Sequence, residues 1–172
     1  MNKRRDKRRV VIPVVLFATL LLGAGVQNFS SDDFHSAVAG DPEHLLQQQF
    51  EYAVSLLEQH EFESAVQGFQ AVIKLAPELP EAHVNMGFAL LGLERFEMAQ
   101  DYFDSASSIR PLQSNAYYGL AVASEGLGEF QQAIVAMRTF VHIADFNDPF
   151  RRKAEAAIWE WEATLLAQKN ER

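Results

Sequence analysis

The sequence predicts an all-α fold: a solenoid of three helical hairpins closed by a capping helix and preceded by an apolar leader. Three features point there. Apolar residues recur at helical spacing through most of the chain. A pattern of alanine, phenylalanine and proline returns at one constant interval. The tail carries one long apolar stripe of its own. With 172 residues, 48% of them apolar, the chain is long enough for one domain with a real core.

Residues 1–9, "MNKRRDKRR", carry six basic side chains and one acid. The formal net charge is −8, so the remainder bears −13. That acidic remainder argues against a nucleic-acid binder, which needs a basic footprint. The chain has no cysteine, which removes disulfides, thiolate metal sites, cysteine nucleophiles and a lipid-modified cysteine.

Residues 10–26, "VVIPVVLFATLLLGAGV", hold no charge. As a helix they reach roughly 26 Å, near the thickness of a bilayer's hydrocarbon core. Lys3, Arg4, Arg5, Lys7, Arg8 and Arg9 keep the N-terminus cytoplasmic, so the rest is carried across. The segment reads as a single-pass anchor in a bacterial-type inner membrane with the domain in the periplasm. The alternative is a cleaved signal peptide, cut after the small residues Gly23 and Gly25, leaving a soluble periplasmic protein. Residues 27–40 are Ser- and Asp-rich and read as a tether.

Sliding the chain against itself until Ala65 meets Ala99 also brings Ala99 onto Ala133, and aligns Phe62, Phe96 and Phe130. Phe69, Phe103 and Met137 follow, then Leu75, Ile109 and Ile143. Ala53, Gly87 and Ala121 match, as do Leu56 with Leu90 and Pro77 with Pro111. A period of this length marks stacked helix pairs. The units fall at 46–79, 80–113 and 114–146 within a domain of 41–146. Their helices are expected near 45–59 and 62–75, 80–92 and 96–109, and 113–126 and 130–143. The repeated alanines let paired helices approach closely, and the phenylalanines fill the space beside each turn. Gly in "GLERF" and "EGLGEF" reads as a supplier of positive φ. Pro77 and Pro111 end their helices. Asp41-Pro42 reads as an N-cap and first helical residue. A lone hairpin cannot bury its apolar face, but stacked hairpins share a core.

The tail, 147–168, opens with the same Asp-Pro signal. Phe150, Ala154, Ala157, Ile158, Trp161, Leu165 and Leu166 form one stripe suited to covering the open end of the third unit. Trp159 lies half a turn away from it, either as a surface aromatic or as an anchor for a partner. Arg151, Arg152 and Lys153 put positive charge at a helix N-terminus, against the macrodipole. They read as solvated, or as contacts to an acidic partner or lipid headgroups.

The offsets of these small, aromatic and proline positions resemble the tetratricopeptide repeat family over about 46–145. Gln49, His83 and Tyr117 stand where that family has a tryptophan, and Asp145 stands where the third proline would fall. The resemblance implies a helix–turn–helix solenoid whose first helices line a concave, peptide-holding groove. Carried over position by position, the groove is Phe50, Val54 and Leu57 in the first unit and Val84, Asn85, Phe88 and Leu91 in the second. The third contributes Asn115, Tyr118, Val122 and Glu125. A subset of the family clamps a C-terminal carboxylate with Lys, Asn and Arg. At those places this chain has Phe50, Val54, Asn85, Asn115 and Gly119, and only Asn85 matches, which argues against such a clamp. The largely apolar set suits a helix or an extended segment, unless its aromatic residues pack between helices instead.

The five histidines, His35, His44, His60, His83 and His142, show no metal-ligand spacing, and no phosphate loop or nucleophile elbow occurs. The expectation is therefore a non-catalytic scaffold without cofactor, metal or small-molecule substrate, assembling envelope proteins through a peptide or helical segment. An architectural subunit held in a membrane complex by its apolar segment is the alternative, and an enzyme is a distant third.

Overall fold

The computed structural model describes residues 41–171. The basic segment 1–9, the apolar segment 10–26 and the tether 27–40 lie outside the described residues. Among the described residues there are seven helices and no strand: α1 Pro42–Glu58, α2 Phe62–Leu75, α3 Pro80–Gly92, α4 Phe96–Ile109, α5 Ser114–Leu127, α6 Phe130–Ile143 and α7 Arg151–Asn170. None of them is long and apolar enough to cross a membrane.

Consecutive helices pack against one another in chain order, and α7 seats on α6. The first helices also touch each other, α1 to α3 and α3 to α5, whereas α2, α4 and α6 make no comparable contact among themselves. That asymmetry curves the stack, with α1, α3 and α5 on its inner side. Ala65, Ala99 and Ala133 are fully buried where each hairpin's helices meet. Three rings, Phe69, Phe103 and Phe140, are the largest side chains that are fully inaccessible.

Asp41 caps α1 as expected: its carboxylate accepts from the Glu43 amide at 3.2 Å and Pro42 opens the helix. The second Asp-Pro pair behaves differently. Asp148 Oδ1 accepts from the Phe150 amide at 2.8 Å in a turn ahead of the helix, so α7 begins at Arg151 rather than 147. Of the tail's apolar stripe, Ala154, Ile158 and Trp161 are buried, Phe150, Ala157 and Leu165 half-buried, and Leu166 stands in solvent. The indole N–H of Trp161 donates to Glu125 Oε1 at 3.0 Å and ties the cap to α5.

The hairpin turns correct the reading of the glycines. Positive φ falls at His60 (61°), Glu94 (57°) and Gly128 (77°), equivalent places in the three units, of which only the last is glycine. Each turn closes with the same pair of amide bonds. At the second, Glu94 N–H reaches Leu91 O at 3.0 Å and Arg95 N–H reaches Leu90 O at 3.0 Å. Gly92 and Gly126 are helical and serve a different end. A Cβ on Gly92 would lie 2.5 Å from the Phe62 ring, and one on Gly126 would lie 2.5 Å from the Phe96 ring. In the first two hairpins, the phenylalanine that opens the second helix therefore sits in the notch that a glycine leaves on the next unit. Because Glu94 holds a left-handed conformation that costs an L-residue about 1 kcal/mol, Glu94→Gly is expected to raise stability by about that amount. Urea denaturation reads it as a higher midpoint with an unchanged slope.

The tryptophan-replacing positions also act periodically. His83 Nε2 lies 2.7 Å from Pro77 O, and the Tyr117 hydroxyl donates to Pro111 O at 3.1 Å. Since a carbonyl only accepts, His83 carries its proton on Nε2, and its buried Nδ1 has no partner. Both side chains reach back along the chain and fasten an inter-unit turn to the helix it leads into.

Candidate functional site

The inner side of the curve is built by α1, α3 and α5. Of the groove residues expected there, Leu57, Val84, Phe88, Leu91 and Tyr118 are buried. Phe50, Val54, Asn85, Asn115 and Val122 are half-buried. The groove is thus narrower than its expected side chains imply. Phe88 packs edge-on against Phe103 at 5.2 Å, and Tyr118 lies between Phe140 at 5.2 Å and Phe150 at 5.8 Å. The alternative in which these aromatics fill gaps between helices applies to Phe88 and Tyr118. Phe50 does both, resting on Phe69 at 6.0 Å while one side stays open.

Tyr118 shows how dry the inner wall becomes near the cap. Burial, then the carboxylates of Glu125 and Asp148, push its phenol up to about 12, so it stays a neutral core ring. Glu125, the last groove position of the third unit, is exposed, and its carboxylate accepts the Trp161 indole proton. A partner therefore meets two open stretches, one at Phe50 and Val54 and one at Val122, with the amides of Asn85 and Asn115 nearby in the chain pattern.

Asn115 also lines a polar hollow of about 110 Å³ at the boundary of the second and third units, with Glu81, Arg110, Leu112, Gln113 and Ser114. Arg110 pairs with Glu81 Oε1 and donates to Gln113 Oε1 at 3.1 Å, while the buried Oε2 of Glu81 has no hydrogen-bond partner. Among the described residues, no group of three His, Asp or Glu side chains gathers with metal-binding geometry.

The secondary contact residues separate. Trp159 is 76% exposed and Arg152 is exposed. Arg151 is not a free surface cation. Its guanidinium donates to Ala144 O at 3.3 Å, lies 5.8 Å over the Phe146 ring and pairs with Glu155 at 3.6 Å. It fastens the α6–α7 connection, which offsets its unfavourable place at a helix N-terminus. The Trp161–Glu125 bond and the glycine notches lie outside the sequence expectations. The notches do have a signal there, since the interval from Phe62 to Gly92 repeats from Phe96 to Gly126.

Residues 80–111, the second hairpin, match the tetratricopeptide repeat family. The fold is a tetratricopeptide repeat fold. The first such domain of human RPAP3 superposes with a TM-score of 0.68 at 17% identity, covering 77% of this chain and all (100%) of that one. The TPR2B domain of yeast Sti1 in its pHsp70 complex gives 0.65 at 20% identity, covering 69% of this chain and 97% of that one. The Yersinia enterocolitica type III secretion chaperone SycD, in complex with a peptide of the translocator YopD, gives 0.66 at 13% identity, covering 70% and 94%. The chain matches no curated protein by sequence. At these identities the likeness establishes the tetratricopeptide architecture and its three hairpins.

Proposed function

We propose that this chain is a non-catalytic scaffold that assembles or stabilises a protein complex of the bacterial cell envelope. It sits in the inner membrane through residues 10–26, N-terminus inside, with its tetratricopeptide domain in the periplasm. The observation that carries the reading is the partly open apolar wall of the first helices, Phe50, Val54 and Val122 with Asn85 and Asn115. Side chains of this kind on a rigid curved support suit an extended or helical segment of a partner protein. Two structural neighbours are complexes, SycD with a peptide of YopD and the Sti1 domain with pHsp70, which supports a protein segment as the ligand class. The groove's mostly apolar character points away from the charged C-terminal tails that a Lys/Asn/Arg clamp holds. The basic nonapeptide and the uncharged run behind it support the membrane placement and its orientation.

A photo-crosslinking residue at Val54 or Val122 leaves the core intact, whereas Phe88→Glu would place a charge inside it. Irradiated in membranes of the producing organism, both positions are expected to give a discrete adduct with the same envelope protein, identified by mass spectrometry. If adducts arise only from probes within 10–26, the domain is a spacer. The chain would then be an architectural subunit held by its apolar helix.

A further inference from the structure

A terminal helix of a solenoid ordinarily turns a polar face outward, because nothing further stacks on it. Helix α7 does not. Its buried stripe, Ala154, Ile158, Trp161 and Leu165, covers the third hairpin. On the opposite side Ala156, Trp159, Ala163 and Leu166 are all exposed. Trp159 is 76% and Leu166 63% accessible. The outer set is spaced 3, 4 and 3, and Arg152 and Asn170 extend it by four at each end. That is the a/d seam of two heptads, roughly 27 Å long.

We infer that this seam is a self-association surface, on which α7 of a second copy lies antiparallel. The order of residue sizes selects that occupant. An antiparallel pair centred on residue 161 sets Trp159 against Ala163 and Ala156 against Leu166. Every layer then joins one large side chain to one small one, and the same layers recur on the other side of the two-fold axis. A parallel pair would stack Trp159 on Trp159 and leave Ala156 facing Ala156. Of the flanking charges, one pair favours the antiparallel arrangement, and Glu160, beside Trp159, lies near the axis close to its own symmetry mate. Glu155 of one copy falls beside Lys169 of the other, at both ends of the seam. Arg152 meets the amide of Asn170. Glu162, near the axis, is already paired with Arg138 of its own chain, which lowers the repulsion between the two copies of this carboxylate. A seam of two heptads is short, so the dimer is expected to dissociate in the micromolar range.

Sedimentation equilibrium of the full-length chain in density-matched detergent, over about 1–200 μM, tests this. The expected result is a monomer–dimer equilibrium. Ala163→Arg, at an exposed position, should weaken it at least tenfold without changing helix content by circular dichroism. Because the chain has no cysteine, disulfide mapping is clean. Oxidising a mixture of Ala156→Cys and Leu166→Cys chains should yield the mixed disulfide in preference to either homodisulfide. A monomer over the whole range overturns the inference. So does a dimer that survives Ala163→Arg, which would place association in another segment. Preferential self-linking of Ala156→Cys would also overturn it.

Discussion

Phe103→Ala is expected to lower the stability of the domain by about 3–5 kcal/mol, the usual range for deleting a fully buried ring. Phe103 is completely inaccessible, and three helices close on it. Its ring occupies the space in front of Gly87 on α3 and Gly119 on α5, where an added Cβ would lie 2.6 Å and 2.2 Å away. Phe88 meets the ring edge-on at 5.2 Å. Neither α3 nor α5 can shift inward to fill the void without leaving its other neighbours, so most of the cavity penalty should persist. The converse change tests the same fit. Gly119→Leu, which forces a branched side chain against the ring, is expected to destabilise by a comparable amount. Guanidinium unfolding followed by far-ultraviolet circular dichroism measures both. A loss under about 1 kcal/mol for Phe103→Ala would mean that the second and third hairpins are not joined through this ring.

The second large effect belongs to Trp161. It is 3% exposed, and it both fills the end of the core and hydrogen-bonds to α5. Trp161→Ala is expected to cost about 3–5 kcal/mol. It should also detach α7, so that proteolysis cuts between residues 145 and 150 while the three hairpins remain folded. Trp161→Phe keeps one aromatic ring and loses both the indole's second ring and its donor. Its cost should fall well below that of alanine, at about 1–2 kcal/mol, because only a partial cavity forms, Glu125 is exposed and water replaces the lost bond. A Trp161→Ala protein that unfolds at the wild-type midpoint would show α7 to be a bystander rather than part of the cooperative unit.

Much of this architecture is readable in the amino-acid pattern, for a definite physical reason. Ala65, Ala99 and Ala133 are completely buried where paired helices cross, and the need for a small side chain at such a crossing repeats with the unit. Pro77 and Pro111 likewise mark the ends of α2 and α4 through a missing amide proton. The groove is less legible. Phe50 and Val84 occupy the same place in successive units, yet the first is half-open and the second buried. Position within a repeat sets the direction of a side chain. Its accessibility depends on neighbours, and α3 has a hairpin on each side whereas α1 has one. Gly92 misleads because glycine serves either a left-handed backbone or a close contact, and composition alone does not separate the two. Glu94, which takes the left-handed conformation, carries no residue-type signal for it. Arg151 looks solvated in the sequence because its partners, Ala144 O and the Phe146 ring, belong to a connection with no regular period.

The notches at Gly92 and Gly126 determine where the array can lengthen. Inserting a duplicate of residues 80–113 after the second unit would present a glycine to Phe62 and to both copies of Phe96, since the interval from Phe96 to the following glycine is preserved at each new junction. Beyond the third unit the matching place, as far past Phe130 as Gly126 is past Phe96, is occupied by Glu160. The spacing shared by the first two junctions thus lets the array grow from within, whereas the third junction lacks the glycine that the other two rely on.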